Sequence, residues 1–354
     1  MNSIYDIDLS HLKRLVQDWN EPDYRADQIW RGIYSKFWSE PAQFSTLSKE
    51  FRKKYLEKLN FRTIQLEKAL LSSDGLTEKL LFRSDQGDSF ETVLMKYPSK
   101  NKKIVRNTIC VSTQVGCAMG CVFCATGNMG FKRNLRVGEI IEQVIFFSQE
   151  SRIQNQRITN IVYMGMGEPF QNYNSVINSI KILNSSNGYN MGMRRFTIST
   201  VGLIQGMNKL PDDLPQVNLA VSLHAADDEL RNSLVPINKR FPLKILMKAC
   251  EDYVTKTNRR ISFEWALIEN VNDSLQQAHN LVSLIKKSKV LDTGLSHVNL
   301  IQLNPISNYQ AKPSTNQKTI SFKKVLESNQ IPCTIRRRRG IDINAGCGQL
   351  ATNA

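Results

Sequence analysis

The sequence predicts an α/β protein whose core is a parallel sheet closed, at least in part, into a (βα) barrel. After residue 103, short apolar strands alternate with longer helical segments. A helical region precedes this alternation, and a short run of strands joins the two parts. We therefore divide the chain into a helical accessory domain (1–60), a β connector (61–102), a core (103–342) and a C-terminal segment (343–354).

The core alternates regularly between two kinds of segment. Short, apolar, β-branched runs predict strands at 108–112, 158–164, 196–200, 217–223, 261–267, 298–303 and 333–336. Apolar residues at helical spacing predict helices between them, at 138–149, 174–183, 243–255 and 275–286. In such a sheet the functional side chains come from the ends of the strands and the loops that follow, so we expect a site there.

The first hundred residues have a different pattern. In segment 12–59 the apolar residues recur at helical spacing, and no group of side chains there suggests a catalytic or ligand-binding site. In the connector, turn residues separate three strand-like runs, at 63–66, 79–82 and 90–95. Glu91 shares a strand face with Val93 and Met95, so it lies either at an exposed edge or in a cleft that holds an acid. The pattern favours the edge, because carboxylates are rarely buried.

Composition and charge exclude several classes of protein. With 41% hydrophobic and 22% charged residues, the chain has an ordinary globular balance rather than a disordered one. Its 47 Lys and Arg residues against 32 Asp and Glu give a net charge of +15, which favours a polyanionic partner such as nucleic acid. No apolar run approaches the roughly 18 residues of a membrane-spanning helix. Since 1–13 does not resemble an export signal, we expect a cytoplasmic protein with no membrane partner.

Three closely spaced cysteines, Cys117, Cys121 and Cys124, are the strongest chemical signal in the chain. A 4Fe-4S cluster normally has four thiolate ligands, so three would leave one iron open. That iron could bind the amino and carboxylate groups of S-adenosylmethionine. Zinc remains an alternative, although it prefers paired ligands and the other cysteines and the four histidines are scattered. Chance spacing is the third possibility.

Polar side chains follow several of the predicted strands at the point where each strand stops. Any one of them is more often a turn or a loop-initiating hydrogen bond than a ligand contact. As a set at successive strand ends, however, they resemble the rim of a pocket. These residues are Glu168, which follows the glycines 165 and 167, and Ser199, Ser222, His224 and Asn304.

The remaining cysteines differ in their surroundings. Cys250 and Cys333 have the spacing of core residues, whereas Cys110 lies on the strand that leads into the three-cysteine loop. Cys347 stands between glycines after an arginine run at 336–339, and nearby positive charge favours the nucleophilic thiolate. An exposed tail cysteine is the alternative. The arginines themselves either clamp RNA phosphates, the hypothesis we favour, or form a solvated charged face.

Several motifs together resemble the RlmN/Cfr family of radical S-adenosylmethionine RNA methyltransferases. The resemblance is most specific in the cysteine motif, and it extends over nearly the whole chain. It covers 24–30, Glu91-Thr92-Val93, 114–127, 130–135, 165–169, 222–225, 234–238 and the ending Gly346-Cys347-Gly348-Gln349-Leu350. It implies a partial TIM-like barrel as the radical S-adenosylmethionine core.

The resemblance also implies roles for individual residues. Cys117, Cys121 and Cys124 would hold the 4Fe-4S cluster. Cys347 would become S-methylated, Cys110 would be its resolving partner through a transient disulfide, and Glu91 would accept a proton. The residues expected to contact S-adenosylmethionine are Gly167, Glu168, Ser199, Ser222, Leu223, His224 and Asn304.

The implied reaction is methylation at C2 of an adenine in 23S ribosomal RNA and of the adenine 3′ of the anticodon in some transfer RNAs. C2 has no nucleophilic lone pair, so a radical route is needed. One S-adenosylmethionine would methylate Cys347 and a second would supply the radical, giving two per turnover. An electron donor such as flavodoxin and a monomeric state are expected. The 336–346 stretch is less acidic than the endings typical of the family, which allows for altered RNA contacts. Because the Cfr enzymes share the cysteines, methylation at C8 stays open as an alternative, and so does a non-catalytic iron-sulfur RNA-binding protein.

Overall fold

The computed structural model describes residues 3–99, 104–153 and 156–352. In this part of the chain a sheet of ten strands dominates the fold, with a separate sheet of two short strands. The strands are β1 (Ile64–Leu71), β2 (Thr77–Ser84), β3 (Ser89–Pro98), β4 (Ile104–Cys110), β5 (Gln114–Gly116), β6 (Phe131–Asn134), β7 (Asn160–Tyr163), β8 (Phe196–Thr200), β9 (Asn218–Ser222), β10 (Ile261–Leu267), β11 (Ser296–Gln302) and β12 (Cys333–Ile335).

The helices fall into an N-terminal group and a group that alternates with the strands of the core. The first group is α1 (Leu9–Asp18), α2 (Tyr24–Tyr34) and α3 (Lys49–Lys54). The second is α4 (Ala125–Asn128), α5 (Val137–Ile153), α6 (Tyr173–Asn184), α7 (Ile204–Asp213), α8 (Asp228–Leu234), α9 (Leu243–Thr257), α10 (Leu275–Lys286) and α11 (Asn316–Ser328). Within the described residues, none of these helices is long and apolar enough to cross a bilayer.

The large sheet has the order β1-β2-β3-β4-β7-β8-β9-β10-β11-β12. From β4 to β12 every neighbouring pair is parallel, whereas β1 to β4 pair antiparallel. Among the described residues the order begins at β1 and ends at β12 with no pairing between them, so the barrel is partial. The predicted α/β class with a partial (βα) barrel is confirmed.

Most predicted strands agree closely with those observed, and 196–200 and 261–267 agree to the residue. The three strands predicted in the connector are β1 to β3. They belong to the same sheet as the core strands, because Val93 of β3 pairs with Cys110 of β4. The predicted boundary at 102/103 lies outside the described residues. The division into four segments therefore stays a prediction.

Burial explains why these segments take their places. In β8 the residues Phe196, Ile198 and Thr200 are fully buried on one face of the sheet, while the alternate residues are only partly buried. Four residues of α10 are buried and recur at helical spacing: Ala278, Leu281, Val282 and Ile285. One face of each strand thus packs against the helices, and the other face is left for the barrel interior.

The N-terminal helices dock on the core through polar as well as apolar contacts. The backbone N–H of Gly138, near the start of α5, donates to Asp6 Oδ1 at 2.7 Å. The buried carboxylate of Glu142 accepts from the backbone N–H groups of Thr63 and Ile64 and from the Ser3 hydroxyl. Burial raises the pKa of Glu142 to about 7 despite these donors. The start of the sheet is therefore tied to α5.

Arg133 holds the short strand β6 in place. Its guanidinium lies 2.7 Å from Asp88 and 2.9 Å from Glu139, two carboxylates that are almost fully buried. Asp88 lies in the turn before β3 and Glu139 lies in the first turn of α5. Because β6 pairs with β5, this ion pair network fixes the strand that leads into the three-cysteine loop.

Replacing Arg133 with alanine should lower the free energy of unfolding by about 3 kcal/mol, because it removes the cation that two buried carboxylates share, although Lys132 stays paired with Asp88. Arg136 continues to donate to Glu139, which keeps the loss at the lower end of the usual range. Urea denaturation measures the change. As a control, Arg83→Ala removes an exposed ion pair with Glu67 and should cost less than about 1 kcal/mol. Equal losses for the two variants would contradict the anchoring role.

Candidate active site

The three-cysteine loop joins β5 to α4. Cys117 and Cys121 are at most 9% exposed, and Cys124 is partly buried. Gly116 begins the loop at φ +72°, where an added Cβ would stand 1.8 Å from the carbonyl oxygen of Gly130. The backbone N–H of Cys117 donates to that same oxygen at 2.9 Å. The loop can therefore turn only because a glycine precedes the first cysteine.

The three thiols fit a cluster better than a single metal ion. Burial raises the pKa of Cys117 to about 12 and that of Cys121 well above its usual range, so their thiolates need a cationic partner. Within the described part of the chain, no three His, Cys, Asp or Glu side chains converge as ligands of one ion. Ligands of a cubane bind different irons and need not converge. An all-sulfur, carboxylate-free donor set suits iron-sulfur ligation.

A cavity lies beside Cys121 and Cys124 at the carboxyl ends of the parallel strands, and we call it the strand-end cavity. Six of the seven residues predicted to contact S-adenosylmethionine line it, namely Gly167, Glu168, Ser199, Ser222, His224 and Asn304. Leu223 does not line it. Its side chain is fully buried in the core, and its backbone N–H donates to the carbonyl oxygen of Glu264 at 3.0 Å. The fold therefore brings six of the seven predicted residues together around one cavity, and Leu223 is not among them.

Glu168 is buried in the wall of the strand-end cavity. Its two carboxylate oxygens accept backbone N–H groups of Phe170 at 3.0 Å and Val201 at 2.9 Å, which joins the ends of β7 and β8. Burial raises the pKa of Glu168 to about 7. Each oxygen keeps a further lone pair, so an ammonium group in the cavity would both pair with this carboxylate and favour its charged form.

His224 is neutral in this site. Burial, together with the charge of Arg231, lowers its pKa to about 3. Its Nδ1 accepts the backbone N–H of Ala266 at 2.9 Å, so the proton of the neutral ring is on Nε2. The ring also meets Phe123 of the cysteine loop edge-on, with centroids 4.7 Å apart. His224 therefore offers a fixed N–H donor rather than a titrating base.

Cys347 is exposed and lines two cavities at once. One is the strand-end cavity, and the other is lined by Cys110 and the four arginines 336–339, with no acidic residue among its lining residues. We call it the arginine cavity. Burial raises the pKa of Cys110 to about 12, and the nearby Cys347 adds to the shift. The predicted pair Cys110 and Cys347 is therefore brought together.

Hydrogen bonds hold the segment around Cys347 against the cysteine loop. The backbone N–H of Ala125 donates to the carbonyl oxygen of Gly348 at 2.7 Å, and Thr126 Oγ1 donates to that of Leu350 at 2.6 Å. From the other side, Asn304 Nδ2 donates to the carbonyl oxygen of Cys347 at 3.0 Å. Cys347, the last cysteine of the chain, is thus fixed next to the three-cysteine loop.

The arginine run is partly committed to protein contacts. Arg336 lies 3.3 Å from Glu264, and although burial alone would lower its pKa, Cys347 and Glu264 raise it. Arg339 stacks over the ring of Tyr97 at 4.6 Å, and Arg106 covers the same ring at 3.9 Å. The expectation of four equivalent clamping guanidiniums therefore needs correction, because Arg336 already has a carboxylate partner.

The prediction that Glu91 lies at an exposed strand edge is wrong. Its side chain is 1% exposed, and Lys79 Nζ lies 2.8 Å from one carboxylate oxygen. The other oxygen accepts the backbone N–H of Ala351 at 2.9 Å, and Lys79 Nζ also donates to the carbonyl oxygen of Asn344 at 3.3 Å. Burial raises the pKa of Glu91 although these donors oppose the shift. Glu91 lines neither cavity, so the acid sits behind the C-terminal segment.

Sequence reasoning missed two charged residues of the site, Glu264 and Arg231. Glu264 pairs with Arg336, the first residue of the predicted arginine run, in the wall of the strand-end cavity. Arg231 of α8 is 1% exposed beneath the strand ends. No local signal identified them, since a charged residue in a polar helix or at a strand end is usually solvated.

The fold and the cysteine loop define a radical S-adenosylmethionine protein. The model of the radical SAM superfamily matches residues 111–282, and that of the ribosomal RNA large subunit methyltransferase N-terminal domain matches 2–61. The chain is 43% identical over 353 residues to the probable dual-specificity RNA methyltransferase RlmN of Chloroflexus aurantiacus, covering 98% of this chain and 92% of that protein. The chain belongs to the RlmN family.

Two further comparisons agree over the full length. The ribosomal RNA large subunit methyltransferase N of Nitrosopumilus maritimus is 41% identical over 355 residues, covering 100% of this chain and 99% of that one. The crystal structure of a radical SAM methyltransferase from Sphaerobacter thermophilus superposes with a TM-score of 0.93 at 42% identity and 99% coverage of both chains. The likeness thus includes the accessory domain, the core and the C-terminal segment.

Gly167→Ala should lower the free energy of unfolding by about 3 kcal/mol. Gly167 has φ +100°, and an added Cβ would stand 2.5 Å from Gln114 Cβ. Gly192→Ala is the matched control, because Gly192 has φ −60° and open space around it, and should change stability by less than about 0.5 kcal/mol. Denaturant unfolding measures both, and similar values for the two variants would contradict the close approach of Gly167 to β5.

Proposed function

We propose that this chain is a dual-specificity radical S-adenosylmethionine methyltransferase of RNA. Its proposed product is an adenine methylated at C2, in 23S ribosomal RNA and 3′ of the anticodon in some transfer RNAs. One observation carries the proposal: Cys347 stands between the strand-end cavity, which Cys121 and Cys124 line, and the arginine cavity. A methyl group on this sulfur would face a cofactor site on one side and an anion-binding site on the other.

The residues on the cofactor side suit a cluster and S-adenosylmethionine. Cys117, Cys121 and Cys124 would hold the cluster, which when bound supplies the electron that cleaves S-adenosylmethionine to a radical. The carboxylate of Glu168 would accept from the ammonium group of the cosubstrate, and His224 Nε2 and the Asn304 amide offer donors. Asn304 Oδ1 is buried without a partner, as expected of a group that awaits a ligand.

The two cysteines of the arginine cavity would carry the methyl transfer. Cys347 would lose its proton to solvent and take the methyl group of one S-adenosylmethionine, and the radical from a second would remove a hydrogen atom from that methyl group. The methylene carbon would then bond to C2, and the adduct would lose one electron to the cluster and its C2 proton to Glu91.

The Cys110 thiolate would attack the Cys347 sulfur, which breaks the bond from sulfur to the methylene carbon and forms a disulfide, while the released carbon takes a proton from solvent. An external thiol reductant would reset the disulfide. With its pKa raised to about 12, Cys110 stays protonated until a base removes its proton. Protonation therefore keeps Cys110 from attacking the Cys347 sulfur before the RNA adduct has formed.

Glu91 is the proposed acceptor of the C2 proton. Its burial supports this role, because a raised pKa makes a carboxylate a stronger base. Glu91 lines neither cavity, and the C-terminal segment covers it through the backbone N–H of Ala351. Proton acceptance therefore requires the C-terminal segment to move away from this carboxylate.

RNA is the proposed partner on electrostatic grounds. The chain carries a net charge of +15, and Arg337 is exposed at the mouth of the arginine cavity. A cytoplasmic location, a monomeric state and a one-electron donor such as flavodoxin belong to the same proposal.

The decisive experiment is anaerobic reconstitution of the full chain, with iron and sulfide counted, followed by transfer of a labelled methyl group to 23S ribosomal RNA and to transfer RNA. Nuclease digestion and mass spectrometry against standards for the two methyladenosines then locate the methyl group. The expected product is 2-methyladenosine. Product that contains only the C8 isomer would replace the C2 proposal with a Cfr-like one.

Cys347→Ala should abolish labelled methyl transfer while RNA affinity stays within about twofold, because the sulfur that carries the methyl group is lost without a change in charge at the arginine cavity. Cys333→Ala is the control, since Cys333 is a buried thiol outside both cavities and should leave transfer intact. Gel-shift titration measures binding. A parallel loss of binding and methylation would favour the non-catalytic RNA-binding alternative.

Cys110→Ala should trap a covalent adduct between protein and RNA, because no second thiol remains to release the methylated base. The adduct appears as a slow band on denaturing gels that disappears after ribonuclease treatment. Cys250→Ala serves as the comparison, since that thiol is fully buried in the core. Normal turnover of Cys110→Ala with no slow band would refute the resolving role.

A further inference from the structure

Arg231 is a buried cation whose hydrogen bonds all go to neutral oxygens. Its guanidinium donates to the carbonyl oxygens of Leu223 at 3.0 Å, Val201 at 2.8 Å and Ser222 at 3.1 Å, and to Asn238 Oδ1 at 2.8 Å. Among the described residues it forms no ion pair with a carboxylate. The side chain is 1% exposed, so water does not compensate its charge.

A buried charge without a partner of opposite sign is costly. Burial lowers the pKa of Arg231 only to about 10, so the guanidinium remains charged at neutral pH. Asp228 acts on it electrostatically but forms no ion pair with it, and Asp228 Oδ1 accepts from Asn238 Nδ2 and from the backbone N–H of Leu243, both at 2.8 Å. The described residues therefore place no carboxylate in contact with the Arg231 guanidinium.

The cysteine loop is the neighbour that would supply this anion. The backbone N–H of Val122 donates to the carbonyl oxygen of Leu234, at the end of α8, at 3.2 Å. Leu234 packs in the same buried cluster as Cys117 and Cys121. Arg231 lies one turn earlier in α8, and it holds the carbonyl groups of Val201 and Ser222, which line the strand-end cavity together with Cys121. The unpaired cation thus lies next to the place where thiolates are expected.

We propose that Arg231 is the buried counter-charge of the cluster site and raises the reduction potential of the bound cluster. The inference rests on the proposed ligation by Cys117, Cys121 and Cys124. When a low-potential one-electron donor reduces the cluster, one electron enters and no proton follows, so the site becomes more negative by one charge. A fixed guanidinium in a dry environment stabilises that state more than the oxidised one.

The competing explanation is purely structural. Arg231 ties together the carbonyl groups at the ends of β8 and β9, so its loss could disturb the strand-end cavity without any electrostatic effect. Charge and hydrogen bonding can be separated by two substitutions. Arg231→Lys keeps a positive charge with fewer donors, whereas Arg231→Gln keeps donors and removes the charge.

The test is a redox titration of the reconstituted full-length proteins with dithionite and mediators, followed by electron paramagnetic resonance of the reduced cluster. For Arg231→Gln we expect at least a tenfold fall in the ratio of reduced to oxidised cluster at a fixed potential, a shift of about 59 mV for one electron. Arg231→Lys should retain most of the wild-type potential. Lys239→Gln, which removes an exposed cation close by in sequence, should leave it unchanged.

The other possible results of the titration would contradict the proposed role of Arg231 or the proposed function. An unchanged potential in Arg231→Gln, or equal shifts in the Gln and Lys variants, would overturn it. If Arg231→Gln binds no cluster, Asn238→Asp takes its place, because it sets a negative charge at the oxygen that faces Arg231 Nη1. That variant should also lower the potential, and an unchanged value would again overturn the inference. Wild-type protein that holds no iron would instead refute the proposed function.

Discussion

The site depends on the docking of the C-terminal segment against the three-cysteine loop. These two parts of the chain are more than 200 residues apart, yet Ala125 and Thr126 donate to carbonyl groups on either side of position 349. Asn304, at the end of β11, holds the carbonyl group of Cys347 from the opposite side. Without these contacts the arginine cavity would lose a wall, and Cys347 would have no fixed relation to Cys110 or to the cofactor side.

Buried charge is distributed unevenly around this junction. Carboxylates lie at the periphery, where Glu142 and Glu139 anchor α5 to the accessory helices and to β6. Beneath the strand ends lies a cation, Arg231, and the wall of the strand-end cavity holds the pair of Glu264 and Arg336. Glu139 is paired with Arg133, whereas Glu142 and Arg231 are held only by neutral hydrogen-bonding groups. Arg231 differs from Glu142 in its place, since α8 contacts the three-cysteine loop through Leu234 and Val122.

Sequence patterns predicted the strands and the residues at their ends, because neighbouring residues in the chain determine these features. The β-branched runs at 196–200 and 261–267 became β8 and β10 without a change of bounds, and six strand-end residues met around one cavity. Glu91 could not be placed in the same way. Its burial comes from Lys79 on the neighbouring strand and from Ala351 near the end of the chain. Arg231 was missed for the same reason, because its burial depends on strands brought together only by the fold.

The ion pair between Lys79 and Glu91 has one further consequence. Lys79 contacts the carbonyl group of Asn344, three residues before Cys347, and Glu91 contacts the backbone of Ala351, four residues after it. A single pair of opposite charges therefore fastens both ends of the loop that carries the sulfur. Lifting that loop exposes two desolvated charges together, so the mobility of Cys347 and the protonation of the acid behind it are thermodynamically linked.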